Sequence, residues 1–373
     1  MTTVNNVTFD DFDPLLVFSD YSQWWTPDPS EHPEWYNSTS QDTGVNWHEA
    51  TVHYATEQGA SFALNFTSPA IYIYGIAGPS STNYTISLDG TTTSHSLSGN
   101  NSDTSVDDGR TLLWSQSGLE TGKVHQVELT NEGSGVGVDL VVLEVDVGQK
   151  AKNTTVDNTS GDILYSSNWS SNDGNFYNGS SSYTSGSGNS LTFNFTGSAL
   201  YIFGDQVNDH GVFSLYFNSS STPFFTPSGR SGCQVANDQV EKSCEKLDSL
   251  KAFVGGLPAG DHQVEIVNEG QDTYFDFDYL VYTTPEQYPS FTLDATCANG
   301  ICGDSSSANS TASASESASS SAASSTSTGD SGSSSSGAMR MGVDGLAGWM
   351  MLGWIGIWGW RRMTSAWACD YNL

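Results

Sequence analysis

Three groups of residues in this 373-residue chain are of types that do chemistry: histidines set beside glutamates, close-set aspartates, and a crowd of aromatics. His125 and His262 open two nearly identical stretches, His125-Gln-Val-Glu-Leu-Thr-Asn-Glu-Gly133 and His262-Gln-Val-Glu-Ile-Val-Asn-Glu-Gly270. Glu128 and Glu265 follow them at the same interval. An imidazole beside a carboxylate can hold a metal or move a proton. Both stretches alternate polar and apolar residues, as a half-buried strand does, so His125 shares a face with Val127 and Leu129 while Glu128 takes the other. The pair points apart, and a structural role is expected for both histidines. Asp107-Asp108, Asp276 and Asp278 could form the carboxylate pair that glycoside hydrolysis needs, although no spacing demands it. Asp139 and Asp278 each precede an apolar closing strand and are read as turn-bonding residues.

The aromatics give the binding expectation. Trp24, Trp25, Trp35, Tyr36 and Trp47 fall close together, and sugar rings stack their apolar C–H faces on such side chains. Trp25 and Trp169 occupy similar repeat positions and are read as core. Trp35, Tyr36 and Trp47 lack counterparts in the second repeat and lie in a long loop, residues 26–50, so they are the candidate ligand contacts. No nucleophile elbow, phosphate-binding loop, His-Glu-x-x-His or dinucleotide fingerprint is present. Nothing has the loop spacing of a dedicated calcium site. The chain is therefore expected not to be an enzyme and to use no cofactor or metal.

The elements that must position these residues come in two copies. Ser61-Phe-Ala-Leu-Asn-Phe-Thr67 matches Ser190-Leu-Thr-Phe-Asn-Phe-Thr196, and Ala70 to Gly75 matches Ala199 to Gly204. Asn83 to Gly90 alternates and ends in Asp-Gly, a hairpin signal. Strands at short spacing with turn signals between them predict an all-β protein of two tandem jelly-roll-like β-sandwich domains, residues 7–148 and 156–284. Beyond them lie a cysteine-containing connector (285–303), a Ser/Thr-rich disordered stalk (304–340), an apolar stretch (341–360) and a short tail (361–373). The stalk cannot bury enough apolar surface to offset chain entropy. The apolar stretch is either a short membrane-spanning helix flanked by Arg361-Arg362, a lipid-anchor signal, or an interfacial or mis-spliced tail. Residues 1–13 lack the basic start and apolar core of a signal peptide.

A formal charge of −31 argues against nucleic acid, because neutralising phosphates takes clustered lysine and arginine. Cys233 with Cys244, and Cys297 with Cys302, are close enough in sequence to form two local disulfides; zinc is the rival for the second pair but lacks further ligands. Asn-x-Ser/Thr acceptors recur along the chain, among them Asn65, Asn83, Asn158, Asn194 and Asn218. Of these Asn65, Asn83, Asn194 and Asn218 are the expected glycosylation sites, and together with the cysteines they point to the secretory pathway. The eight residues that the second copy has in excess coincide with the Cys233–Cys244 interval, which reads as a stapled insertion.

Gly260-Asp-His-Gln-Val-Glu-Ile-Val-Asn-Glu-Gly270 followed by Asp278-Tyr-Leu-Val-Tyr282 resembles the end of a galactose-binding-like jelly roll, a fold of many carbohydrate-binding modules. The first copy departs from it at Lys123-Val124 and Asp139-Leu140. The layout of sandwiches, stalk and membrane segment also resembles a group of fungal surface proteins. That resemblance implies a cell-surface, single-pass glycoprotein (or a lipid-anchored or secreted one) with glycans as partners. It implies a non-catalytic glycan binder, with a structural wall protein or a polysaccharide-acting enzyme as alternatives.

Overall fold

The computed structural model describes residues 4–26, 47–77, 82–97, 111–133, 135–232 and 245–296. The described chain is nearly all β, as its alternation requires. In the first half the strands are β1 (Val4–Asp10), β2 (Val17–Phe18), β3 (His53–Ala55), β4 (Ser61–Phe66), β5 (Ala70–Ala77), β6 (Thr82–Leu88), β7 (Thr91–Leu97), β8 (Thr111–Ser117), β9 (His125–Asn131) and β10 (Val136–Asp146). They make two sheets, β1-β10-β5-β8 with β3 also on β10, and β2-β4-β9-β6-β7. The expected hairpin forms at Asp89-Gly90, both in the left-handed region, which suits the twist of β6 and β7. Strand β7 is the arm that this turn implies, although residues 91–110 carry no apolar alternation to mark its extent. Its residues are polar because most of its side chains face water.

The second half repeats the plan with β11 (Lys152–Asp157), β12 (Leu164–Tyr165), β13 (Ser170–Asp173), β14 (Ser180–Thr184), β15 (Ser190–Thr196), β16 (Ala199–Gln206), β17 (Phe213–Phe217), β18 (Lys246–Gly255), β19 (Asp261–Asn268), β20 (Phe275–Phe277) and β21 (Tyr279–Thr284). Its sheets are β11-β21-β16-β18, β12-β15-β19-β17 and the short β13-β14-β20. Matched residues take matched registers: Asn65 pairs with Gln126 as Asn194 pairs with Gln263, and Phe66 with His125 as Phe195 with His262. Residues 285–296, read from sequence as connector, dock on the second sandwich, where Leu293 and Ala295 join its core.

Each half has its own buried apolar cluster. Phe62, Ile71, Ile73, Val127 and Leu129 are among the first, and Leu191, Ile202, Phe213, Val264 and Phe277 among the second. Each such side chain contributes roughly 1.5–3 kcal/mol on burial. Both halves belong to one compact unit, Met1–Ser310. Strand β18 makes the seam between them. Its Leu250 joins the first core, and Phe253 meets Phe9 of β1 at 5.8 Å between ring centroids. The Leu250 N–H donates to Asp13 Oδ1 at 2.8 Å, and the Ser198 hydroxyl to the Val147 carbonyl at 2.5 Å.

Candidate functional site

The repeated histidines are structural, as their strand face implies. His125 and His262 are buried, lie 5.6 and 5.5 Å from the rings of Phe66 and Phe195, and reach the carbonyls of Glu120 and Pro258 through Nε2. Asp139 and Asp278 also act alike. Asp139 Oδ1 accepts from the His48 N–H at 2.8 Å, and Asp278 Oδ2 from the Tyr177 N–H at 3.0 Å. Each carboxylate anchors a one-turn 3-10 segment, His48–Ala50 or Tyr177–Gly179, whose middle residue, Glu49 or Asn178, is left-handed.

Of the candidate ligand contacts, Trp35 and Tyr36 lie outside the described residues, as do Asp107, Asp108 and the four cysteines expected to pair, Cys233, Cys244, Cys297 and Cys302. Trp47 is buried, at 8% exposure, and has a counterpart after all. It caps the first 3-10 turn as Phe176 caps the second. Trp25 corrects the sequence reading in the other direction: it stands 51% exposed, and Trp24, fully buried, fills the core in its place. Trp169 is half-buried, with its indole N–H on the Ser190 carbonyl. Asn65, Asn83, Asn194 and Asn218 are all exposed, whereas Asn158 is buried and donates to the Ser182 hydroxyl, so its amide is not open to a glycan.

The polar chemistry gathers at the seam, on residues of which the sequence reading singled out only Asp278. The left-handed bend at Glu49 carries its carboxylate onto Lys246 of β18. Lys246 is 1% exposed and has Asp10 Oδ2 at 3.9 Å as well. Burial draws the Glu49 pKa upward, and the Lys246 ammonium more than reverses this, leaving Glu49 below the ordinary value and ionised. Asp10 is pushed up to about 6 by burial, only partly countered by Lys246. Behind it Asp11 bonds His53 Nδ1 at 2.6 Å, and Thr51 donates to Asp11 at 2.8 Å. Burial disfavours charge on both members of that pair, raising Asp11 and lowering His53 to about 3.

An aromatic shelf leads up to this cluster along the outer face of the β21-β16-β18 sheet. Tyr177, 43% exposed, lies 4.8 Å from Tyr279, which stacks on Phe203 at 4.5 Å with an angle of 10° between the rings. The Tyr279 hydroxyl donates to Asp248 Oδ1 at 2.6 Å. Asp248 sits in a left-handed bend of β18 on the exposed side of the strand; crowding by its neighbours lifts its pKa, the Tyr279 hydrogen bond works against the rise, and the Glu49 charge adds to it. Asp278, under Tyr177, is raised to about 7 by burial. One carboxylate held ionised and two held toward the protonated form, beside a stacking surface, is an arrangement suited to general acid–base work on a sugar. Among the described residues no group of three or more His, Cys, Asp or Glu is placed to hold a metal ion. Of these residues the sequence reading had named Asp278 alone; Lys246, one of eleven lysines and arginines in the chain, was a signal it passed over.

No family model matches the chain. It is 29% identical over 177 residues to an A type blood alpha-D-galactosamine galactosaminidase of Flavonifractor plautii, a span of 46% of this chain and 15% of that protein. The chain thus spans only a small part of that relative. Similar solved structures include a Paenibacillus xanthan lyase (13% identity, 76% of this chain and 25% of that one, TM-score 0.26). A family two carbohydrate esterase from Cellvibrio japonicus is another (16% identity, 38% and 37%, TM-score 0.25). A third is the catalytic domain of a GH87 alpha-1,3-glucanase in complex with nigerose (13% identity, 38% and 28%, TM-score 0.25). At such TM-scores no activity is carried across from these structures. The expectation that the chain is not an enzyme is corrected by the sequence likeness to the galactosaminidase. Motifs close in sequence carry no trace of the seam, which gathers its charged groups from distant parts of the chain.

Proposed function

We propose that this protein is a carbohydrate-processing enzyme that takes a sugar on the Tyr177–Tyr279–Phe203 shelf and works on its glycosidic bond at the seam. The observation that carries the reading is the aromatic shelf beside two carboxylates in unlike surroundings, Glu49, which Lys246 draws below its ordinary pKa, and Asp248, whose pKa is raised. In this scheme Asp248, its carboxyl group oriented by the bond that Oδ1 accepts from the Tyr279 hydroxyl, donates a proton from its other oxygen to the departing oxygen, and the anionic Glu49 acts on water or on the anomeric carbon. Lys246 keeps Glu49 ionised. The likeness to a galactosaminidase supports the substrate class, and aryl glycosides of galactosamine are the first compounds to test. Display of the sandwiches outside the cell, on the stalk of residues 304–340, belongs to the same proposal and rests on composition.

The test is release of nitrophenol from aryl α- and β-galactosaminides and their neutral galactoside counterparts by the full chain. Turnover of at least one is expected, with Glu49→Gln and Asp248→Asn each losing a hundredfold or more in kcat, in line with the usual contribution of one acid or base. Wild-type rates in both variants, or no release from any of these glycosides by well-folded protein, contradict the reading.

A further inference from the structure

A second feature of the seam lies apart from the shelf. A cavity of about 240 Å³ opens between the sandwiches, walled by Leu15 and Val17 of the first and by Phe224, Phe225 and Phe253 of the second. Its lining is chiefly apolar, yet Asn65 and its cross-strand partner Gln126 also line it. Asn65 is the acceptor of the triplet Asn65-Phe66-Thr67, and its side chain is exposed on the outer face of β4. We propose that an N-linked glycan on Asn65 seats its first sugar in this cavity and so becomes part of the seam.

Three observations support the assignment. The acceptor amide lies at the cavity itself, so the first sugar is tethered at its occupant position and loses little further freedom on docking. The phenylalanines of the far wall offer faces for a pyranose ring, and Gln126 offers an amide for its hydroxyls. The repeat supplies a control, because Asn194 holds the equivalent place on β15 within the same Asn-Phe-Thr triplet, exposed, and with Gln263 Nε2 donating to its Oδ1 at 3.1 Å. The bond forms between Asn65 Nδ2 and the anomeric carbon of a lipid-linked oligosaccharide pyrophosphate. The lipid pyrophosphate is the leaving group, one amide proton is lost, and no oxidation or reduction is involved.

The experiment uses the full chain expressed behind a secretory leader in a glycosylating eukaryotic host. Peptide mass mapping reads occupancy, a time course with an endoglycosidase on the native protein reads protection, and melting curves compare Asn65→Gln with Asn194→Gln. The expected result is occupancy at Asn65, trimming at Asn65 at least tenfold slower than at Asn194, and a Tm lowered by about 2–4 °C in Asn65→Gln alone. An unoccupied Asn65 in secreted, folded protein, or equal trimming rates at the two sites, overturns the proposal. The trimming comparison is made on the wild-type chain, so it decides the matter even where Asn65→Gln fails to be secreted.

Discussion

Asp278 is the residue at which protonation and stability are most directly tied. Its side chain is 2% exposed, and its pKa in the fold is about 7 against 3.8 for the free group. A raised folded-state value means that the fold favours the protonated form. The stabilisation is complete below about pH 4 and is lost as pH rises through 7. The amide introduced by Asp278→Asn cannot ionise, while its oxygen can still accept from the Tyr177 N–H. The stability difference, variant minus wild type, is therefore expected to climb between pH 4 and pH 8 by an amount on the order of a few kcal/mol, since each pKa unit is worth about 1.4 kcal/mol, and the Tm difference climbs with it. Parallel melting profiles across that range contradict the assignment. Residue roles set by strand face were legible in the sequence: His125, His262, Asp139 and Asp278 all do what alternation and position suggest. Trp25 and Trp47 were misread because they sit in a stretch without periodicity, where no face can be assigned.

At the scale of elements, the repeated glycines explain how each closing strand fits. A Cβ on Gly75 of β5 would lie 1.9 Å from the Gly137 carbonyl oxygen of β10, and one on Gly204 of β16 would lie 2.6 Å from the Asp276 carbonyl oxygen of β20. Both glycines stand where the neighbouring strand crosses too closely for any side chain. Gly204→Ala also meets Lys251 Cε at 2.6 Å, a buried side chain packed over the rings of Phe213 and Phe275. It should destabilise the fold by about 1–3 kcal/mol, the usual cost of overpacking. Denaturant unfolding checks this, and a variant with unchanged midpoint contradicts the packing account. The strands themselves were readable from alternation, and the Asp89-Gly90 hairpin from its turn residues. The extent of its exposed arm β7 was not, because a strand that buries little carries no apolar period.

The whole molecule differs from two independent sandwiches in its seam. Lys246 and Glu49 are 197 residues apart in sequence, and Asp13 reaches Leu250 across 237. No local pattern can announce such contacts, which is why the two folds were legible in the sequence and the charged cluster between them was not. The seam also explains why a lysine and several aspartates are kept buried: removing one member of a buried ion pair costs about 3–5 kcal/mol, so the cluster holds the two halves in a fixed relation. That fixed relation brings Glu49 of the first half to Asp248, Asp278 and the aromatic shelf of the second. The most direct test of this account is the kinetics of aryl galactosaminide hydrolysis by the wild-type chain and Tyr177→Ala, with melting curves alongside. Tyr177 is exposed and contributes little to either core, so the account predicts an unchanged Tm, a KM raised about tenfold and a kcat within a factor of two or so. A Tyr177→Ala variant with wild-type KM and kcat would contradict the claim that the sugar lies on the shelf at the seam.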